Sequence, residues 1–135
     1  PGNAMTLGPA ASPFASYRNW MHQRVHPIFV DGFLASLDAL AADHTLNQPS
    51  LRTVVEVVLE PSQGRLVRMG ILRTSGVTVF DIAALDTLDR AAPFGAAPAA
   101  IVSADGKVYV HWEFHRDPDV ACSTRNARPL LLATP

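Results

Sequence analysis

A β-branched run and a second apolar run joined by a four-residue turn restrict the fold more than any other feature. Arg52–Glu60 carries Val54, Val55, Val57, Val58 and Leu59, too short for a helix of its own and composed of residues that pack on a pleated surface. Pro61-Ser62-Gln63-Gly64 supplies the turn, and Leu66, Val67, Met69, Ile71 and Leu72 make the return strand, closed by Thr74-Ser75-Gly76. A lone hairpin is not stable in water, so the remaining chain must give it another strand and a cover.

Helices flank the hairpin. Residues 1–15 are small and turn-forming and read as a cloning remnant (Pro1-Gly2-Asn3-Ala4-Met5) followed by the end of a linker. From Phe14 the apolar residues recur at helical steps: Phe14, Tyr17, Met21, Val25 and Ile28, then Phe29, Phe33, Leu37 and Leu40. Pro27 removes a donor and disfavours helical geometry at His26, predicting a kinked helix or two helices meeting there. Asn47 and Pro49 end the segment. Thr78-x-x-Asp81 predicts a second helix start, with Ile82, Leu85, Leu88 and Ala92 as its apolar face and Pro93 as its stop.

A third strand follows the Asp105-Gly106 turn signal. Over Lys107–His115, Val108, Val110, Trp112 and Phe114 point one way, and Tyr109, His111, Glu113 and His115 the other. The order is helix, strand, strand, helix, strand. The fold class predicted is α+β, a three-stranded antiparallel or mixed sheet with helices on one face. The crossover places the third strand beside the first, leaving Lys107–His115 as a free edge. The domain is expected over 16–118, with 119–135 as a C-terminal tail in which Leu130-Leu131-Leu132 docks back.

Composition narrows the function. The chain has 135 residues, 48% hydrophobic and 17% charged, with a formal charge of −1. That suits one globular domain and excludes a basic, phosphate-tracking nucleic-acid surface. No stretch reaches the about 20 apolar residues that span a bilayer. The one cysteine, Cys122, excludes an internal disulfide and a multi-cysteine zinc site.

Several residues invite a chemical reading. His22 and His26 have the i, i+4 spacing of a zinc-protease pair, but Gln23 stands where the activating glutamate belongs, so surface or capping roles are expected. His111, Glu113 and His115 lie about 6–7 Å apart in turn on one strand face. They define an alternative function, a small metal-dependent hydrolase, against a solvated polar face on an edge strand. Thr74-Ser75-Gly76 lacks the glycine a nucleophile elbow requires and reads as a structural turn. Asp117 and Asp119 beside Arg116 read as a solvent-exposed Pro-containing loop. Cys122 is open between a reactive or intermolecular thiol, activated by Arg116 and Arg125, and a buried inert one. Trp20 and Trp112 are expected in the core. No cofactor, metal or catalytic residue is assigned.

The stretch Val67–Phe114 resembles the TonB/TolA C-terminal domain family. The residues that carry the resemblance are Arg73-Thr74-Ser75-Gly76, then Phe80-Asp81-Ile82-Ala83-Ala84-Leu85, Ala92-Pro93-Phe94, and Val108-Tyr109-Val110-His111-Trp112-Glu113-Phe114. The long first helix, with Tyr17, Val25 and Pro27, is similar to the TolA-like branch. Gly95-Ala96-Ala97-Pro98 departs from the proline-rich family pattern, and the tail around Cys122 lies outside it. The resemblance implies a non-enzymatic periplasmic domain, tethered to the inner membrane and driven there by a proton-powered motor complex. It would bind an outer-membrane receptor or envelope protein by strand addition to Lys107–His115. A TolA-like envelope or motility scaffold, and a homodimer through the free edge, are the other arrangements open to such a module.

Overall fold

The hairpin forms where the sequence places it. In a computed structural model, residues 4–6, 12–124 and 127–132 are described, with side chains from residue 14 onward. The elements are β1 (Ala4–Thr6), α1 (Ser12–His26), β2 (Arg52–Glu60), β3 (Arg65–Arg73), α2 (Thr78–Ala91), β4 (Val108–His115) and β5 (Arg128–Leu132). The protein is α+β. Among the described residues its sheet has five strands rather than three, in the order β1-β5-β4-β2-β3, and each of these pairings is antiparallel. The third strand of the sequence reading, β4, does lie beside β2, the first strand of the hairpin.

Two departures lengthen the sheet. The segment expected as a tail contributes β5, and the segment expected as a remnant and linker contributes β1, which pairs with β5. The ordered unit therefore runs past residue 118 and begins before residue 16.

Period-two alternation decides which face is buried. Val55, Val57 and Leu59 of β2 stand opposite Trp112, Val110 and Val108 of β4, and all six are fully buried. The helices cover this face. Phe29 reaches Phe114 (centroids 4.8 Å apart) and Phe80 (5.9 Å), joining the first helical segment, α2 and the sheet. Each such fully buried side chain contributes about 1.5–3 kcal/mol. The Arg24 Nε–H donates to Ala91 O at 2.6 Å and ties α1 to the end of α2. Among the described residues, the opposite face carries a small buried apolar group, Val58, Tyr109 and Leu132 with Leu130.

Pro27 neither breaks nor separates the first helix. His26 stays helical (φ −55°, ψ −49°), and Pro27–Leu34 continues as a π-helix in which Ala35 N–H donates to Val30 O. Proline cannot donate into the α ladder, and the wider i→i+5 register accommodates that gap. The apolar stripe is thereby kept on one face: Phe14, Met21, Val25 and Phe29 are fully buried.

The hairpin turn docks on the loop after α2. Phe94 N–H donates to Gly64 O, Gly95 N–H to Gln63 O and Ala97 N–H to Pro61 O, while the Tyr17 hydroxyl donates to Gly95 O at 2.9 Å. Burial, followed by the nearby Glu60 charge, pushes the Tyr17 phenol up to about 12. The start of α2 corrects another expectation. Thr78 is its first residue, not its cap, and Val77 at the cap position makes no side-chain bond. Asp81 instead accepts from Thr53 Oγ1 at 2.6 Å, from Ser75 N–H at 2.9 Å and from the Thr74 hydroxyl. Burial opposes its charge, yet these bonds together hold the carboxyl below its ordinary range.

Candidate functional site

Strand β4 is launched by a tight turn. Gly106 takes φ +81° and its N–H donates to Ser103 O, while Asp105 accepts from Lys107 N–H at 3.0 Å and from the Tyr109 hydroxyl. The Asp105 carboxyl is opposed by burial but held low by these bonds and by the Lys107 charge. The hydrogen bond to Asp105, then burial, raises the Tyr109 phenol. Lys107 itself precedes the strand.

One side of β4 is paired with β2 along its whole length. The other side is not free. Tyr109, Val110 and His111 stand opposite Leu130, Pro129 and Arg128 of β5, and His115 N–H donates to Ala121 O at 2.7 Å. The expectation of an open edge over Lys107–His115 is thus corrected. The tail lies along it because Leu130 and Leu132 join Val58 and Tyr109 in the small second apolar group. Ser103, 5% exposed, fastens the strand further, with Leu132 N–H donating to Ser103 Oγ at 2.9 Å and Ala104 N–H to Leu132 O.

The alternation assigned to β4 holds side chain by side chain. Val108, Val110, Trp112 and Phe114 are fully buried on the helix-covered face. On the other face His111 Nε2 lies 2.9 Å from Glu56 Oε2, and His115 Nε2 lies 3.2 Å from Glu113 Oε1. Arg52 Nη1 stands 3.8 Å from the same Glu113 oxygen. His111 pairs across to Glu56 of β2, whereas His115 pairs with Glu113 along β4 itself. Among the described residues, His111, Glu113 and His115 do not form a group that brings three ligand atoms together.

The remaining sequence candidates separate sharply. Ser75 is committed to its own turn, its hydroxyl bonding with the Val77 backbone at 3.1 Å. Asp117 accepts from Asp119 N–H at 3.0 Å in the loop after β4. Trp112 is core, but Trp20 is 46% exposed and borders a groove with Phe94 and Pro98, against the expectation of burial. The Arg116 guanidinium is turned to Asn47 Oδ1 (2.8 Å), and Arg125 lies outside the described residues. Cys122 is 2% exposed, and burial together with the Asp31 charge pushes its thiol up to about 12, so it is not held as a free thiolate.

One convergence was not legible from spacing. His22, His26 and Cys122 bring one ligand atom each to within 4.8 Å of one another. The i, i+4 histidine pair was the visible half of that signal. The cysteine arrives 96 residues beyond His26, through the path of the loop after β4. No protein-family model, curated protein or solved structure matches this chain.

Proposed function

We propose that this chain is the partner-binding domain of a TonB/TolA-type energy transducer, and that it takes an extended segment of its partner along β4 in place of β5. In this reading the domain is periplasmic and non-enzymatic. It is tethered to the inner membrane, is driven by a proton-powered motor and passes that energy to an outer-membrane or envelope protein. A single observation carries it: the strand edge to which the resemblance assigns partner binding is already used for strand addition, by the chain's own β5. The cis occupant is a short one. It has three register pairs with β4, and Pro129 among them has no N–H to give. At about 0.5–1.5 kcal/mol net per hydrogen bond, such a strand is exchangeable for a longer competitor. An exchangeable occupant suits a transducer, which must bind and release.

The test is an amide-NMR titration with extended peptides from candidate outer-membrane partners. It compares the full chain, Ser103→Ala, and a chain ending at Thr124. Shifts concentrated on Tyr109–His115, with affinity rising from the full chain to the shortened one, are the expected outcome. A folded, shortened chain whose β4 amides stay unmoved by every peptide rules the reading out.

A further inference from the structure

We propose that His22, His26 and Cys122 form a binding site for a zinc-like divalent transition-metal ion. His22 and His26 stand one turn apart on α1, so both rings leave the same side of the helix, packed edge to face with centroids 5.2 Å apart. Cys122 Sγ lies 3.7 Å from His26 Nδ1. In a tetrahedral site, metal–nitrogen bonds of about 2.0–2.1 Å and a metal–sulfur bond of about 2.3 Å put the donors about 3.3–3.6 Å apart. The observed triad, within 4.8 Å, closes to that spacing by small rotations of two half-buried rings.

The cysteine is held ready. Its carbonyl oxygen accepts from Trp112 Nε1 at 3.4 Å, and the preceding Ala121 O accepts from His115 N–H, so β4 fixes the loop that presents the sulfur. The surroundings favour a cation. Asp119 lines the same opening and adds an acid beside the donor atoms. That opening, a cavity of about 270 Å³ bordered also by Pro118, Ser123 and Thr124, leaves room for water as a fourth ligand. Two imidazoles and one thiolate select zinc-like ions over the oxygen-seeking magnesium and calcium. On binding, the thiol gives its proton to solvent and the metal takes its place.

Titration of the full chain with Co(II) tests the site. The expected result is tetrahedral visible absorption together with a near-ultraviolet sulfur-to-cobalt charge-transfer band, saturating at a single equivalent and displaced by Zn(II). Cys122→Ser should abolish the charge-transfer band. His22→Ala, at a half-buried helix position that leaves the core intact, should weaken binding at least about tenfold and remove the rise in Tm that Zn(II) gives the parent chain. His44→Gln, outside both the triad and the β4 edge, should change neither. Absence of the charge-transfer band, or a titration that folded His22→Ala leaves unaltered, overturns the proposal.

Discussion

At Gly64 the backbone turns with φ +68°, and a Cβ there would meet Gly95 N at 2.7 Å and the Tyr17 hydroxyl at 2.8 Å. Positive φ and close approach thus act together on one residue. Gly64→Ala should cost about 2–4 kcal/mol in urea denaturation, from strain plus overpacking. Gly106, with φ +81° but open space around its Cβ position, isolates the strain alone, and Gly106→Ala should cost about 1 kcal/mol. Asp81 gives a second prediction. Its folded carboxyl is held low, so its contribution is full above the ordinary aspartate value of about 3.9 and is lost as pH falls through the lower folded value. Asp81→Asn should therefore lower stability at pH 7, and the gap from the parent should narrow as the medium is acidified below about pH 4. Thermal melts across that range decide it. The sequence pattern around Thr78 and Asp81 is that of a helix start, and a helix does start there. Spacing alone had no means of showing that three donors from β2 and the Thr74–Ser75 turn would claim the carboxylate first.

Among the elements, the strength of local pattern governs what is legible. The hairpin, α2 and β4 announce themselves through alternation, turn residues and helical steps, and each appears within a residue or two of its expected bounds. Strand β5 is five residues long, contains Pro129, and has a mixed burial pattern, so nothing local distinguishes it from a docked tail. Its place is set by contacts with β4, Ser103 and Ala104, which are remote in sequence. The candidate edge was legible as a strand with the correct faces; its cover was not. Such an arrangement predicts graded opening. Amide exchange should be slowest in β2 and in its pairing with β4, and markedly faster in Leu130–Leu132. Ser103→Ala, which strands the Leu132 N–H, should speed exchange in β5 while leaving β2 protected. Equal protection across all five strands would contradict that order.

For the molecule as a whole, β3 is one outer strand of the sheet, and covering β4 moves the other margin to β1. On β3, Val67, Ile71 and Leu72 are exposed beside Arg65, Arg68 and Arg73. An antiparallel copy of β3 would bring like charges together, a common guard against edge-to-edge association. Light scattering should therefore find a monomer at low ionic strength, with any self-association growing as salt screens the arginines. Substituting Arg68 and Arg73 by threonine should advance that association to lower salt. The opposite margin has a mechanical consequence. Ala4 stands opposite Leu132 and Thr6 opposite Leu130, so the first and last described residues sit side by side at the mouth of one antiparallel pair. Tension drawn between the two ends loads that seam as a zipper, one rung at a time, and not in shear. It frees β1, then works along β5, while the hairpin and the helix-covered core carry almost none of the load.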